Sequence, residues 1–488
     1  MVCLNAGVSL RYLTLAQNDN YKLRRNKPFF KTYLLAVFFV ALSFVPVPFF
    51  ALISCGVGAI TAFIAYFTSR TKLKLTKRVR YYFILPVIHA VIPILTCIPD
   101  LKEYVLLTLW ATTIVLSFLP VKLSETIFNR HFDKKNEKYI LTAAEKLRAS
   151  GTKVVAVTGS FGKTSCKNII FTLLDGVFNV AMTEENHNTP MGIALSIDKL
   201  TGKEEFFICE FGARRKGDIK YLCTVFPPDI GLITGICEQH SGVFGSLNVI
   251  YNEKFLLAKH LKTGGFCAFG NNLYAKKMYR EYAGNKISIG ACEDIYAENI
   301  CRLIGKTTFN LHIREKSKNV VTCLCGKQAI ENLLLCVAVA DKIGVPPEVI
   351  FDRIEAIKQT PHRLEYSRVG DVHILDDSYN SNTVGVRYAL EYLRGYPSPR
   401  IVVAQGVVEL GIKQREENIH IGEEIASVAD HAILLGVNKN AIKTGLKRKK
   451  YRGTVTVCHG LKSVRKKLTR VVRPGATVLF QNDLPDIY

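Results

Sequence analysis

The stretch VVAVTGSFGKTSCKNII, residues 154–170, decides the fold of this chain. It begins as an apolar, β-branched run typical of a buried strand, breaks at Thr-Gly-Ser-Phe-Gly-Lys-Thr, and then takes up the spacing of a helix. A strand that turns through glycines into a helix offers backbone N–H groups and a helix N-terminus to phosphate oxygens. The stretch therefore predicts a nucleotide-binding loop, although Val157 occupies the place of the first glycine of the common P-loop.

The residue types in this loop indicate their roles. Lys163 has the position from which a P-loop lysine reaches the β and γ phosphates, and the hydroxyl group of Thr164 has the position that holds Mg²⁺. We predict an ATP-using unit in which the nucleotide is bound by Thr158, Gly159, Ser160, Gly162, Lys163, Thr164 and Ser165.

Strand and helix patterns alternate on both sides of a boundary near residue 358. Before it, VVAVTG, EFFICEFG and IGLITGI are each followed by a helical pattern, which predicts a parallel sheet covered on both faces. After it, DVHILDDSYN, RIVVAQG, HAILLGV and ATVLFQND indicate a second α/β unit. The predicted fold class is α/β, with a central P-loop ATPase domain at 151–357 and a Rossmann-like C-terminal domain at 358–488.

The first 125 residues have a different character. Residues 32–67 carry no charge, and 81–98 and 104–121 are apolar runs of about the length that a bilayer demands. They predict an α-helical membrane region with about four spans at 1–125, followed by an amphipathic linker at 126–150. Residues 32–67 fit two short spans or a single span with a re-entrant piece. Basic loops flank the spans, so we expect a multi-pass protein of the cytoplasmic membrane that contacts lipid and has its catalytic domains in the cytoplasm.

The charge and cysteine content of the chain limit the classes of partner that it is expected to bind. A net charge of +24 favours contact with anions, but the position of the basic runs beside the apolar ones is what membrane topology requires, so no nucleic acid is predicted. The basic segments GLKRKKYRG and KSVRKKLTRVVR fit either lipid headgroups or solvated helix faces. The 14 cysteines contain no CxxC pair, which speaks against a zinc site or a disulfide framework.

Several further segments resemble the Mur ligase family. The short form TGxxGKT of the loop is used by that family, and NHNTPMG (186–192), EFGARRKGDI (210–219) and HSGVFGSLNVIYNEK (240–254) follow it in the same order. HRLEYSRVGDVHILDDSYNSN and GVVELG (406–411) continue the resemblance, which is nearest to the branch that adds D-alanyl-D-alanine. The resemblance covers roughly residues 150–480 and implies a ligase that activates a carboxylate as an acyl phosphate for attack by an amine.

The resemblance also implies the metal ligands. Two Mg²⁺ ions would be held by Thr164, Glu210, His240 and Lys254, the last as a carbamate, because a lysine ammonium group is electrostatically wrong beside a metal. Lys163, His240 and Lys254 are the implied catalytic residues, and Asn186 and Asn188 the implied substrate residues. Each of three residues also has a structural alternative: Glu210 as a surface carboxylate at a strand end, His240 as a histidine in a capped turn and Lys254 as a solvated helix lysine.

In the C-terminal unit the resemblance implies nucleotide contacts from Arg363, Asp377 and Asn382, and from Asn332 in GKQAIEN. Ordinary turn chemistry also explains DDSYN. The chain departs from the family at Lys327 and Gln328, where His and Asn are usual, and at Val407, where Asp is usual.

The sequence thus favours an amide ligase of cell-wall precursor synthesis. Its acceptor would be a nucleotide-linked or lipid-linked muropeptide, and its second substrate an amine or dipeptide such as D-alanyl-D-alanine. A ligase for poly-γ-glutamate or another polymer on the same scaffold, and a non-catalytic nucleotide-binding membrane scaffold, are the alternatives. A partner subunit is left open.

Overall fold

The structure, a computed structural model of the chain, describes residues 118–184, 187–238, 244–289, 294–379 and 382–482. Its internal contacts divide the chain into one unit formed by residues 1–138 and 485–488 and a second formed by residues 139–484. In the first unit the described residues are the helical ones from 118 to 138. The architecture that follows is that of the second unit.

Helix α1 (Phe118–Ala149) begins before the predicted end of the fourth span and continues through the predicted linker. Its last turns bury Ile140, Ala143, Ala144 and Leu147, the spacing of one helix face, in the second unit. The spans predicted between residues 32 and 117 lie outside the described residues. In the part of the chain that is described, no helix is both long and apolar enough to cross a bilayer, and on this finding the predicted localisation in the cytoplasmic membrane is wrong.

The first sheet has six parallel strands in the order β2-β3-β1-β4-β5-β6. The strands are β1 (Lys153–Thr158), β2 (Val180–Met182), β3 (Phe206–Glu210), β4 (Ile230–Ile233), β5 (Phe266–Phe269) and β6 (Lys286–Ser288). Parallel strands covered on both faces are apolar throughout rather than alternating, as VVAV in β1 shows. The predicted parallel sheet of the central part is confirmed.

Helices cover both faces of this sheet. They are α2 (Lys163–Leu174), α3 (Pro190–Ile197), α4 (Asp218–Val225), α5 (Leu247–Lys259), α6 (Leu273–Glu281), α7 (Lys327–Ile343) and α8 (Pro347–Ala356). Successive residues of β1 point to opposite faces: Val155 and Val157 join one buried apolar cluster with α2 and α7, whereas Val154 and Ala156 join another with α4 and α5. This two-sided core fixes the carboxyl edge of β1, where the P-loop begins.

A three-stranded antiparallel sheet packs beside α7 and α8. It consists of β7 (Ile295–Leu303), β8 (Lys306–Ile313) and β9 (Lys316–Thr322). Phe309, Leu311 and Ile313 are buried at every second position of β8, so one face of this sheet contributes to the apolar cluster around α2. This sheet occupies the segment between β6 and α7.

The second sheet also has six strands, in the order β10-β11-β15-β12-β13-β14. They are β10 (Glu365–Val369), β11 (Val372–Asp377), β12 (Arg400–Ala404), β13 (His431–Leu434), β14 (Thr454–Val457) and β15 (Thr477–Gln481). The helices with them are α9 (Thr383–Leu393), α10 (Gln414–Ala426), α11 (Lys439–Arg448) and α12 (Leu461–Val471). The prediction of a Rossmann-like sheet needs a correction, because the edge strand β10 is antiparallel to β11 and the sheet is mixed.

Candidate active site

The P-loop joins β1 to α2 and is held against the loop that follows β4. Ser160 donates from its N–H group to the carbonyl oxygen of Gly235 (2.7 Å) and from its hydroxyl group to that of Cys237 (3.1 Å). A Cβ atom on Gly159 would lie 2.1 Å from Oγ1 of Thr234, so only glycine fits there. The hydroxyl group of Thr158 is used inside the fold, where it donates to the carbonyl oxygen of Phe211 (2.8 Å).

Lys163 opens helix α2, and its Nζ atom donates to the carbonyl oxygen of Gly159 (2.8 Å). Desolvation lowers the pKa of Lys163; Glu210 opposes this shift and Arg363 adds to it. Thr164 and Ser165 follow in the first turn, half-buried. Among the described residues no side chain caps the α2 N-terminus, so its N–H groups remain available to an anion.

Glu210 is the last residue of β3 and pairs with Val157 of β1. Its side chain is 1% exposed, and its Oε1 atom lies 3.4 Å from Nζ of Lys167. Oε1 has no hydrogen-bond donor. A buried carboxylate oxygen with unused lone pairs, on the strand next to the one that leads into the P-loop, fits the hard oxygen ligands that Mg²⁺ takes.

Lys254 lies in α5 and is 4% exposed. Desolvation lowers its pKa to about 7, and the charge of Lys163 acts in the same direction. No ion pair joins Lys254 to a carboxylate within the described ranges. The neighbouring Glu253 is buried and does not pair with Lys254. Its two carboxylate oxygens accept hydrogen bonds from the N–H groups of Gly217 (2.8 Å) and Ile219 (2.7 Å) at the start of α4.

Arg363 comes from the segment that leads into the second sheet. Its Nη1 atom donates to the carbonyl oxygen of Tyr379 (2.8 Å), and its guanidinium group lies 4.5 Å from the centre of the Tyr379 ring. Burial lowers the pKa of Arg363, and Asp377, Tyr379 and Glu210 oppose this shift. Arg363 also lines a cavity together with Gly162 and Ser165 of the P-loop, so the structure brings it to the site that Lys163 opens.

Asp377 and Asn382 have local partners. An Oδ1 atom of the buried Asp377 accepts from the N–H group of Leu364 (3.2 Å). Asn382 is the N-cap of α9, and its Oδ1 atom accepts from the N–H groups of Val384 (3.0 Å) and Gly385 (2.9 Å). The helix-capping function of Asn382 is thus visible, whereas its predicted nucleotide contact stays a prediction.

Two cavities lie beside the P-loop. The smaller one, of about 100 Å³, is lined by Gly162, Ser165, Arg363, Asp377 and Asn382 among others. The larger one, of about 520 Å³, includes Lys327, at which the chain departs from the family pattern. Four residues line both cavities: Phe161, Gln328, Asn332 and Tyr388. Predicted nucleotide residues of both α/β parts thus line these two cavities, and the larger one has the size that a small molecule needs.

The remaining predicted residues are placed as follows. Asn188 accepts from the N–H group of Gly212 (3.0 Å) through its carbonyl oxygen, beside the end of β3. Asn186 and His240 lie outside the described residues. Val407 is buried in the apolar cluster of the second sheet, and its N–H and carbonyl groups both bond to the Asn418 side chain at 2.8 Å.

The sequence reasoning missed Lys167, Glu253 and Phe161. Lys167 could have been noticed because it follows Lys163 by one helical turn in the apolar run CKNIIFTLL, where a charge needs a partner. Glu253 precedes Lys254 on a helix and gave no signal of its own. Phe161 could have been noticed because an aromatic residue in a phosphate-binding loop suggests contact with the ligand.

Comparison with known proteins agrees with this fold. Residues 157–340 match the Mur ligase middle domain and residues 362–481 match the Mur ligase glutamate ligase domain, together more than half of the chain. The chain belongs to the Mur ligase family.

Within the family the chain is similar to ligases named for D-alanyl-D-alanine. It is 28% identical over 304 residues to the UDP-N-acetylmuramoyl-tripeptide–D-alanyl-D-alanine ligase of Escherichia coli (60% of this chain, 66% of that protein). It is 29% identical over 263 residues to the protein of that name from Buchnera aphidicola (53% and 57%). The crystal structure of MurF ligase from Thermotoga maritima in complex with ADP aligns with a TM-score of 0.65 at 25% identity, over 71% of this chain and 80% of that one. The chain spans about half to two thirds of the length of these curated relatives.

Proposed function

We propose that the chain is an ATP-dependent carboxylate–amine ligase that adds D-alanyl-D-alanine, or a similar amine, to the carboxylate of a muramoyl peptide. The observation that carries the proposal is the cavity that Arg363 of the second α/β part lines together with Gly162 and Ser165, the P-loop residues on either side of Lys163 and Thr164. A ligase of this class needs cationic groups on both sides of a transferred phosphoryl group, and this site supplies them.

The charges of the site suit a polyanion. Lys167 pairs with the buried carboxylate of Glu210, and the charge of Glu210 also acts on Lys163 and Arg363. The larger cavity carries charges of both signs, from Lys327 and Arg387 and from Glu238, Glu331 and Glu417. The cations beside the P-loop and the uncapped N-terminus of α2 favour phosphate groups at that end of the site. ATP is therefore the proposed nucleotide substrate, bound in the cavities that share Phe161 and Asn332.

The residues act on the two chemical steps as follows. In the first step a carboxylate oxygen of the acceptor attacks the γ phosphorus of ATP, and the bond to ADP breaks to leave an acyl phosphate. Lys163 and Arg363 hold the γ phosphate from two sides and neutralise the charge that is transferred. In the second step the amine attacks the acyl carbon, loses a proton, and phosphate leaves.

Mg²⁺ is the implied cofactor, and when bound it would neutralise phosphate oxygens and orient them for transfer. Thr164 and Glu210 are the described residues that would hold it, since one offers a hydroxyl oxygen and the other a carboxylate oxygen without a donor. A second ion, held with His240, is part of the proposal by resemblance to the family.

Lys254 is proposed to become a carbamate. A pKa of about 7 leaves much of the buried amine neutral at physiological pH, and a neutral amine adds to CO₂ with release of one proton. The product is an anion in place of a cation, able to approach a metal.

The substrates are proposed from the names of the relatives. A UDP-linked muramoyl tripeptide would present its terminal carboxylate, and D-alanyl-D-alanine its amino group. Asn188, close to the end of β3 through Gly212, and Asn186 in the same loop are the proposed acceptor contacts.

Formation of the amide tests the proposal directly. The full-length protein is incubated with ATP, Mg²⁺, UDP-N-acetylmuramoyl tripeptide and D-alanyl-D-alanine, and both phosphate release and the pentapeptide product are measured. We expect product from the wild type and none from Lys163→Ala. Lys203→Ala, which changes an exposed lysine far from the P-loop, is the matched control and should retain activity.

Two results would speak against the proposal. If Lys163→Ala still forms the product, the P-loop lysine is not required for the reaction. Phosphate release that depends on Lys163 without this product, but with a product from a glutamate-chain acceptor, would favour the polymer ligase instead.

A further inference from the structure

Lys167 and Glu210 form an ion pair that is wholly inside the protein. Nζ of Lys167 lies 3.4 Å from Oε1 of Glu210, and each side chain is 1% exposed. Removing two charges from water carries a desolvation cost that their attraction offsets only with good geometry and full hydrogen bonding. A buried pair of this kind is therefore weak evidence for a purely stabilising role.

Hydrogen bonding in this pair is incomplete on the carboxylate side. Lys167 donates to the carbonyl oxygen of Thr183 (2.7 Å), at the end of β2, while Oε1 of Glu210 has no donor. The ammonium group is thus fixed by the backbone, and it holds the carboxylate by charge while leaving oxygen lone pairs open. Such an oxygen can still accept a hydrogen bond or bind a cation.

The position of Lys167 links it to the nucleotide site. It lies four residues after Lys163 on α2, so the two ammonium groups project from the same side of one helix. Lys163 bonds to the P-loop through Gly159, and Lys167 bonds to Thr183 and pairs with Glu210. One helix therefore carries both the phosphate-binding cation and a cation against the proposed metal ligand.

We propose that Lys167 is a positioning residue for Glu210 that also limits how tightly the site holds a divalent cation without nucleotide. This inference rests on the proposed function, because it takes Glu210 as a metal ligand. A fixed positive charge beside the carboxylate repels a second cation, so Mg²⁺ binds firmly only when the phosphate oxygens of ATP share it. The metal then enters and leaves with the nucleotide.

Binding of Mn²⁺ without nucleotide tests this inference. Free Mn²⁺ is measured by electron paramagnetic resonance with wild type, Lys167→Gln and Lys167→Arg; the glutamine retains a donor for Thr183, and the arginine retains the charge. We expect Lys167→Gln to bind Mn²⁺ about tenfold more tightly than wild type, since the repelling charge is gone. Lys167→Arg should bind like wild type. Lys167→Met, of similar length, replaces the glutamine variant if that variant does not fold.

The control is Lys286→Met, which removes a half-buried lysine that donates to the carbonyl oxygens of Tyr279 and Tyr282 and lies outside the site. It should lose thermal stability with Mn²⁺ affinity unchanged. In the metal-free state Lys167→Gln should also melt below wild type, and Mn²⁺ should restore much of the loss.

Mn²⁺ affinity that is equal to or weaker than that of wild type in a folded Lys167→Gln protein would overturn the inference, as would equal tightening in Lys167→Arg. Mn²⁺ binding that survives Glu210→Gln would overturn the metal role of Glu210 and this inference with it. That last outcome is separate from the ligase activity, which the amide assay decides without reference to Lys167.

Discussion

The amide group of Asn332 lies against Gly162 of the P-loop, where a Cβ atom would be 2.7 Å from Nδ2. Gly162 has a φ of 76°, so a substitution there strains the backbone and also displaces Asn332. We expect Gly162→Ala to lose nucleotide binding at least tenfold, the equivalent of about 1.4 kcal/mol. Isothermal titration with ADP and Mg²⁺ measures the change.

Gly202→Ala separates the two effects. Gly202 has a φ of 83° with no atom within 4 Å of its Cβ position, so alanine there adds backbone strain alone. It should cost about 1 kcal/mol of stability and leave nucleotide affinity unchanged. Equal losses of affinity in both variants would contradict the contact between Gly162 and Asn332 as the cause.

The ring of Tyr379 supports the Arg363 guanidinium group at 4.5 Å. Tyr379→Leu removes the ring but leaves the backbone carbonyl oxygen to which Arg363 donates. We expect the KM for ATP to rise about twofold to fivefold, because a cation–π contact at an exposed site contributes about 0.5–1 kcal/mol. Initial rates at varied ATP measure it. Tyr296→Leu, which removes a ring stacked on His312 elsewhere, should leave the KM as it is.

The parts of the fold that could be predicted from sequence are those encoded by local patterns. The P-loop was predictable because its glycines, lysine and threonine are contiguous, and the parallel strands because fully buried strands are apolar runs such as VVAV. Strand β10 was missed, since EYSRV is polar and mostly exposed and has no apolar pattern. Its antiparallel direction follows from the tight turn at Gly370, which returns the chain beside β11.

The site shows the same limit. Lys167 is close to the P-loop in sequence, but β2 and β3 bring its partners Thr183 and Glu210 to it. A local sequence pattern does not predict contacts between residues so far apart in the chain. Asn382 was predicted for the nucleotide; the structure shows its side chain as the N-cap of α9, and the nucleotide contact stays a prediction. The residue type alone does not distinguish an asparagine that contacts a nucleotide from one that caps a helix.

Glu253 caps the N-terminus of α4 from inside the protein and is 2% exposed. In Glu253→Gln one oxygen becomes an NH₂ group that faces the N–H donors of Gly217 or Ile219, so a charged acceptor is lost. We expect a loss of about 2–3 kcal/mol in the free energy of unfolding, measured in urea. Glu355→Gln, at an exposed position of α8, should change it by less than about 0.5 kcal/mol. A similar small loss for both would show that the cap contributes little.

His362 and Asp376 tie the Arg363 loop to β11 through a hydrogen bond of 2.7 Å between Nδ1 and Oδ2. The hydrogen bond and charge of Asp376 raise the pKa of His362 above its usual value. A raised pKa in the folded state gives stability that is fully present below the unfolded pKa and lost as the pH rises through the folded one. Asp376→Asn should therefore destabilise the protein at about pH 6 and much less at about pH 9, by under about 1 kcal/mol since the pair is exposed. Urea unfolding at both pH values checks this, and a pH-independent loss would rule out the ion pair as its source.

The low pKa of Lys254 gives a prediction on its carbamate. Burial lowers this pKa to about 7, so the amine is neutral and able to add CO₂ above that pH and protonated below it. With ¹³C-labelled bicarbonate, wild type should show a carbamate carbon signal at about pH 8 that fades towards about pH 6, with ligase activity falling in parallel. Lys254→Met should lack both signal and activity. Lys259→Met, which changes an exposed lysine of the same helix whose Nζ atom lies 4.7 Å from the ring centre of Phe255, should keep both. A signal that remains in Lys254→Met would assign the carbamate to another amine, and full activity in the absence of CO₂ would show that the unmodified lysine suffices.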